Sequence, residues 1–244
     1  MNLPIYKSDK ILGIDSAQSF PKLELPQPWL AGGGGLAEVD SLLLPQVSHG
    51  VRWSLAVDSA ALWFVCEVDA PPFCDNSVQN GEFVEGLWVK DVAEFFLRDS
   101  ETGEYQEFNI SPMGAWWSCV FSSYRHRHMM QRRPSTVSVV GDSSDARWKV
   151  VFGVRLDELV CPLTPQTVLH VSVISHDGSG EPRYFSSHPI RGLEPDFHMP
   201  EVFLPVHIVA ADAVTPRAIA AEEFSKLESG SLNMSQDKSE YKNG

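Results

Sequence analysis

Hydrophobic and polar residues alternate with a period of two from residue 51 onward. Val51, Trp53, Leu55 and Val57 are separated by smaller or more polar residues, a pattern typical of a β-strand with one buried face. Similar apolar runs recur at short intervals, with turn residues between them. The predicted strands cover residues 51–57, 62–68, 92–97, 105–110, 136–140, 148–154, 168–174 and 202–208.

This succession of strands, with almost no helical periodicity between them, indicates an all-β protein. We expect an antiparallel β-sandwich of two sheets, jelly-roll-like in character, over residues 36–212. Residues 156–159 are predicted to form a single helical turn.

Two flanking segments are predicted to lie outside the sandwich. Residues 1–35 contain Pro4, Pro21, Pro26 and Pro28, followed by four glycines. Because proline lacks a backbone donor, we expect an extended arm with neither helix nor central strand, then a glycine linker, packing on the domain. Residues 213–244 begin with a Thr-Pro helix start signal and then become polar, so we expect a short helix and a disordered tail.

The charge and composition of the chain exclude several classes of partner. The 244 residues include 19 Lys+Arg and 32 Asp+Glu, for a formal net charge of −13 at pH 7. An acidic surface repels phosphate backbones, and no apolar run reaches the ~18 residues of a membrane helix, so we expect no nucleic acid and no membrane partner. The amino terminus lacks the features of a secretory signal, which favours a cytoplasmic location. The four cysteines show no CxxC spacing and are predicted to be reduced thiols.

A cluster of polar and aromatic residues between positions 88 and 117 is the candidate binding site. Trp88 precedes Glu94, which interrupts an apolar strand, and Glu107 and Asn109 alternate along the next predicted strand. If these strands pair, one face carries both carboxyl groups and the amide beside an indole. An aromatic ring packs on the C–H face of a sugar while carboxyl and amide groups bond its hydroxyls, so the cluster predicts a carbohydrate site. The alternative is a solvated sheet face with Trp88 closing its edge.

Several segments of the chain resemble family 9 carbohydrate-binding modules and their DOMON-like relatives. Residues 86–96 (GLWVKDVAEFF) resemble the Trp–x5–Glu–Phe–Phe block of that family. Residues 105–109 (YQEFN), followed by Gly114, are similar to its next strand, and residues 148–159 to a later tryptophan–strand–turn segment. Its closing block, an aromatic–Ser–Trp–x–Pro–Ile run leading to Pro-Asp-Phe-His-x-Pro-Glu, is similar to residues 184–190 (YFSSHPI) and 195–203 (PDFHMPEVF).

The resemblance implies that a sugar is held between two aromatic rings with polar side chains around it. Trp88 would then be one ring and Glu94 an acceptor for a sugar hydroxyl. Glu107 and Asn109 stand where the family has Asn and Glu, respectively, so both chemistries are present but exchanged.

The position of the second ring departs from the family pattern. Ser187 stands where the family usually has its second tryptophan. Tyr184 or Phe185 is the expected replacement, and strand alternation places these two on opposite faces. The resemblance also implies a structural calcium ion, whose ligands it does not assign here, and no other cofactor is expected.

We therefore expect non-catalytic carbohydrate binding, since the chain has no GxSxG, HExxH, P-loop or GxGxxG motif of an enzyme. Two other functions stay open. A protein-interaction or scaffold domain, with a protein partner and a degenerated sugar site, would account for Ser187. A haem-binding DOMON-like domain would draw its ligands from the basic island at residues 125–133 (RHRHMMQRR), which is otherwise interpreted as an anionic-ligand loop or a solvated hairpin tip.

Overall fold

The protein is built almost entirely from β-strands. The computed structural model describes residues 3–7, 37–38, 50–188, 190 and 195–210. Its strands are β1 (Leu3–Lys7), β2 (Ala37–Glu38), β3 (Val51–Val57), β4 (Ala61–Val68), β5 (Val92–Asp99), β6 (Tyr105–Ile110), β7 (Trp116–Ser123), β8 (His126–Arg127), β9 (Val137–Ser143), β10 (Trp148–Arg155), β11 (Thr167–His176), β12 (Pro182–Ser186) and β13 (Leu204–Ala210). Single 3-10 turns lie at Leu87–Val89, Leu156–Glu158 and Pro200–Val202. Among the described residues, no helix is long and apolar enough to cross a membrane.

The strands form two layers that β13 joins. One layer has the order β8-β7-β6-β5-β11, with β12 pairing the far edge of β11 and β2 pairing β12. The other has the order β13-β1-β3-β4-β10-β9. Leu204 and Pro205 of β13 pair with β11, whereas residues 206–210 pair with β1. The predicted β-sandwich is confirmed, and the turn at Leu156–Glu158 was also predicted correctly.

Aromatic rings from both layers meet in the core between them. Phe95 of β5 stacks on Phe108 of β6, with ring centroids 4.6 Å apart. Phe64 of β4 and Phe152 of β10 approach Phe95 from the opposite sheet, at 5.0 and 6.0 Å. Burying side chains of this size contributes about 1.5–3 kcal/mol each, so these contacts hold the two layers together.

The strand at the amino terminus corrects one prediction. Residues 3–7 form β1, which lies between β13 and β3 in the second layer, whereas we predicted that no central strand could form there. Pairing with β3 begins only at Tyr6, so the missing donor of Pro4 interrupts no ladder on that side. The remainder of the predicted arm, its Gly32–Gly35 linker and the predicted tail at 213–244 lie outside the described residues.

Strands β7 and β12 were not predicted from the sequence, for different reasons. In β7, Trp116 faces the core while Trp117, Cys119 and Phe121 pack on the opposite face, so both faces are buried and no polar alternation marks the strand. The second strand, β12, is short and partly exposed. The four cysteines are free, as predicted.

The outer face of the first layer is also covered. Residues 195–203 fold back over it, and Phe203 lies with its ring centroid 6.1 Å from Phe96 and 5.9 Å from Tyr105. This outer cluster, distinct from the core between the sheets, forms the surroundings of the candidate site.

Candidate functional site

A pocket of about 570 Å³ opens on the outer face of the first layer. Its walls come from the 3-10 turn at 87–89, from strands β5 to β8, from the end of β11 and β12, and from the loop at 195–198. It is lined by Trp88, Glu94, Glu107, Trp117, Phe121, Arg125, Arg127, Ile174, Tyr184, Pro195, Phe197 and His198.

Two buried carboxyl groups form the polar part of the pocket. In the β5–β6 ladder Glu94 pairs with Asn109, and Glu107 pairs with Phe96, so the two glutamates are diagonal neighbours on one face of the sheet. Their exposed fractions are 3% and 4%. The Ser172 hydroxyl donates to Glu94 Oε2 over 2.8 Å.

The surroundings favour the protonated form of this pair. Burial and repulsion from Glu107 raise the pKa of Glu94 to about 8, although the Ser172 hydroxyl opposes the shift. Burial raises the pKa of Glu107 to about 7, against the stabilising effects of the Asn109 amide and of Arg127 and Arg125. Near neutral pH the two groups therefore hold about one proton between them.

The indole of Trp88 is presented by a tightly anchored loop. Gly86 has φ = 90°, in the left-handed region that glycine adopts without strain, and it starts the 3-10 turn that carries Trp88. Behind this turn the buried Asp91 carboxylate accepts hydrogen bonds from the backbone N–H groups of Phe73 and His176, at 2.9 and 2.7 Å. The loop is thereby fixed to β11, and Trp88 remains 38% exposed at the pocket.

Aromatic rings line two sides of the pocket. The Trp88 and Trp117 ring centroids lie 5.3 Å apart with their planes at 60°, so the indoles form a corner rather than two parallel plates. Tyr184 and Phe197, which also line the pocket, have ring centroids 6.2 Å apart and planes inclined at 57°.

Two arginines of the β7–β8 hairpin also reach the pocket. Arg125 has φ = 54° at the hairpin tip, and its Nη2 lies 2.9 Å from Asp196 Oδ1. The Arg127 guanidinium pairs with Glu85 and lies 5.2 Å from the Trp117 ring centroid. Both guanidinium groups are thus held in place by an acid outside the pocket lining.

A hydrogen-bond chain orients His198 toward the carboxyl pair. The Arg125 backbone N–H donates to Tyr105 Oη over 3.0 Å, and Tyr105 Oη lies 2.9 Å from His198 Nδ1. Burial and nearby Arg125 lower the pKa of His198 to about 4, so the ring is neutral at pH 7. Its Nε2 lies 3.9 Å from Glu107 Oε2.

The structure brings together four of the six residues predicted for the site. Trp88, Glu94, Glu107 and Tyr184 line the same pocket. Asn109 is fully buried beside them. Although its amide influences the pKa of Glu107, neither amide atom reaches hydrogen-bond geometry with any described residue.

Phe185 and Ser187 do not line the pocket. As alternation required, Phe185 points opposite to Tyr184 and packs in the core between the sheets, so we leave it out of the candidate site. The Ser187 hydroxyl accepts a hydrogen bond from the Val171 backbone N–H over 3.0 Å and lies 3.2 Å from His170 Nδ1.

Sequence reasoning missed several residues of the pocket, chiefly Trp117, Arg125, Arg127 and His198. Trp117 stands opposite Asn109 in the β6–β7 ladder, and alternation along β7 would have shown it had the strand been recognised. The arginines were noticed only as part of a basic island, because nothing local shows that the hairpin folds over the pocket.

The implied calcium ion stays a prediction. Within residues 3–7, 37–38, 50–188, 190 and 195–210, no group of three or more His, Cys, Asp or Glu side chains gathers around one point, and calcium also takes backbone carbonyl and amide oxygens as ligands. In the basic island Met129 and Met130 are exposed, and His128 Nδ1 is 3.0 Å from the Met130 carbonyl.

Comparisons with known proteins bear on the fold. No protein-family model matches the chain. It is 29% identical over 176 residues to the UPF0462 protein C4orf33 homolog of Danio rerio, covering 67% of this chain and 82% of that protein.

Solved structures resemble the whole sandwich. A presumed carbohydrate-binding protein from Bacteroides uniformis matches with a TM-score of 0.55 at 16% identity, over 85% of this chain and 99% of that one. A family 9 carbohydrate-binding module from Caldicellulosiruptor kristjanssonii, solved with glucose, matches with a TM-score of 0.50 at 12% identity, over 85% and 96% of the two chains. The chain therefore has the fold of family 9 carbohydrate-binding modules, as its sequence motifs predicted.

Proposed function

We propose that the protein binds a carbohydrate, without catalysis, in the pocket beside Trp88. The observation that carries the proposal is the combination of a partly exposed indole with two buried carboxyl groups in one pocket of about 570 Å³. Sugars need both surfaces, because their C–H faces are apolar and their hydroxyls require paired donors and acceptors. The structural neighbours include a module solved with glucose.

Each lining group has a role in this proposal. The Trp88 ring packs on the sugar face, and Trp117 and Tyr184 close the sides of the pocket. Oxygens of Glu94 and Glu107 accept sugar hydroxyl protons, and the protonated member of the pair donates to a ring or hydroxyl oxygen. Removing a stacked aromatic costs about 1–3 kcal/mol, by analogy with base stacking.

The placement of the two acids supports binding rather than hydrolysis. Glycoside hydrolysis uses two carboxyl groups that flank the scissile bond. Here both glutamates come from adjacent strands on the same sheet face, so they approach a bound sugar from one side. We expect no release of product from aryl glycosides by the purified protein.

The test is a titration with mono- and oligosaccharides followed by tryptophan fluorescence. We expect a saturable change at millimolar sugar and a loss of affinity of tenfold or more in Trp88→Ala. Val89→Ala is the matched control, because Val89 is exposed in the same 3-10 turn but does not line the pocket. An absence of signal with every sugar, or equal affinity in Trp88→Ala and wild type, contradicts the proposal.

Two alternatives from the sequence stay predictions. A protein-interaction domain predicts that a partner co-purifies while sugars leave the fluorescence unchanged. A haem-binding domain predicts a Soret absorption band in the purified protein.

A further inference from the structure

The carboxyl pair of Glu94 and Glu107 presents oxygen acceptors to the pocket, and not all of them are engaged by hydrogen bonds within the protein. Glu94 Oε2 is engaged by the Ser172 hydroxyl, but Glu94 Oε1 has no hydrogen-bond partner among the described residues. Among the described residues the nearest basic nitrogen to Glu107 is His198 Nε2, at 3.9 Å, and that ring is neutral at pH 7 because burial lowers the pKa of His198 to about 4. Two carboxyl groups that are nine-tenths or more buried therefore face the pocket with no described lysine or arginine in ion-pair contact, although Arg125 and Arg127 act on Glu107 from farther away.

The two arginines that line the pocket, Arg125 and Arg127, form ion pairs with acids that do not line it. Arg125 forms its ion pair with Asp196, and Arg127 forms its ion pair with Glu85. Each arginine thus brings an acid with it, and the surroundings of the pocket remain acidic overall. The formal net charge of −13 for the chain acts in the same direction.

We propose that the sugar preferred by this pocket carries a protonated primary amine, as a 2-amino-2-deoxy sugar does. This inference rests on the proposed function. An ammonium group donates three hydrogen bonds, and the oxygens of Glu94 and Glu107 line the pocket as acceptors for them. The faces of Trp88 and Trp117 attract cations as well. A sugar carboxylate would instead be repelled by the same pair.

Binding of the amine is coupled to the proton that the pair holds. Burial raises the pKa of both groups toward or above neutrality, and repulsion from Glu107 adds to the shift of Glu94, so at pH 7 the pair holds about one proton. When an ammonium group arrives, that carboxylic O–H bond breaks and the proton passes to the buffer, while the ammonium keeps its own protons. The other titratable or charged groups facing the pair are Tyr105, Cys119, Arg125, Arg127, Tyr184 and His198.

The experiment compares glucose, glucosamine, N-acetylglucosamine and glucuronate by isothermal titration calorimetry at pH 7. We expect glucosamine to bind about tenfold more tightly than glucose, and N-acetylglucosamine and glucuronate to bind no more tightly than glucose. Repeating the titration in buffers with different ionisation enthalpies should reveal proton release with glucosamine and none with glucose.

Variants assign the preference to the carboxyl pair. Glu107→Gln keeps the shape of the side chain and should reduce the glucosamine-to-glucose affinity ratio to near one. Glu101→Gln makes the same charge change at an exposed position of the β5–β6 turn and should leave the ratio as in wild type.

The outcomes separate this inference from the proposed function. Equal affinity for glucose and glucosamine, or tighter binding of glucuronate, overturns the amine preference and leaves carbohydrate binding standing. A glucosamine preference that survives in both Glu94→Gln and Glu107→Gln overturns the assignment to these residues. A failure of all four sugars and of longer oligosaccharides counts against the proposed function itself.

Discussion

The two faces of the β5–β6 hairpin bury their side chains almost equally, yet they differ in chemistry. The inner face presents Phe95 and Phe108, which stack in the core between the sheets. The outer face presents Glu94 and Glu107, which are 3% and 4% exposed under the pocket. Burial of an aromatic ring stabilises the fold, whereas burial of a carboxyl group costs free energy unless it is paired or protonated. The inner face therefore stabilises the fold, whereas the outer face keeps two carboxyl groups whose burial favours the protonated form.

The largest loss of stability should come from removing an aromatic ring of the inner face. Phe95→Ala removes a ring that contacts aromatic side chains of both sheets, and we expect a loss of about 3–5 kcal/mol in the free energy of unfolding. Trp88→Ala truncates a partly exposed ring and should cost about 1 kcal/mol or less. Urea unfolding followed by circular dichroism measures both, and similar losses in the two variants would remove the distinction between the faces.

A smaller change in stability should appear when pH changes the charge of Glu94 and Glu107 on the outer face. Burial raises the pKa of Glu94 to about 8 and that of Glu107 to about 7 from an ordinary 4.5. The folded protein therefore binds more protons than the unfolded chain, and the contribution of the pair, fully present below pH 4.5, is lost as pH rises through 7 and 8. Between pH 5 and 8 the wild type should lose roughly 2–3 kcal/mol more stability than Glu107→Gln.

Two buried histidines change stability with pH in the direction opposite to the glutamates. Their contribution is the same in wild type and in the variants, so it cancels when the proteins are compared. Burial lowers the pKa of His170 to about 3 and that of His198 to about 4, so both reduce stability as pH falls below about 6.5. Urea midpoints at pH 5, 6.5 and 8 for wild type, Glu107→Gln and Glu101→Gln test the prediction. Parallel pH profiles for all three proteins would show that the pair is not protonated in the folded state.

The smallest change in stability should come from breaking the exposed ion pair between Arg127 and Glu85 at the edge of the pocket. The Arg127–Glu85 pair is about half exposed, and exposed ion pairs contribute about 0–1 kcal/mol. Glu85→Gln should therefore leave stability nearly unchanged while freeing the Arg127 charge next to Trp117. A loss of stability approaching that of Phe95→Ala would mean that the hairpin is part of the core rather than an edge of the site.

Much of the fold could be predicted because its signal is local. Alternation predicted the hairpin that pairs Glu94 with Asn109, and it predicted that Tyr184 and Phe185 would point to opposite faces. Alternation did not predict β7, because Trp116 and Trp117 are both buried and polar residues do not alternate with apolar ones along the strand. It also failed at β1, because the effect of Pro4 depends on which neighbouring strand needs its donor.

The site could be predicted only in part, because its walls come from distant segments. Trp88, Glu94 and Glu107 lie within twenty residues of one another, and a sequence motif connects them. Arg125 and His198 belong to a hairpin tip and a late loop whose approach to the pocket is a consequence of folding. No spacing in the sequence reveals that Tyr105 holds both of them through its hydroxyl group.

The class of fold and the residue types available for binding could be inferred from the chain alone, since strand periodicity and side-chain chemistry are properties of the chain. Folding sets which acids are buried, which arginines are already paired and which of Tyr184 and Phe185 lines the pocket. Burial and charge compensation depend on contacts between residues far apart in the chain, and for that reason the electrostatics of the pocket emerge only in the folded protein.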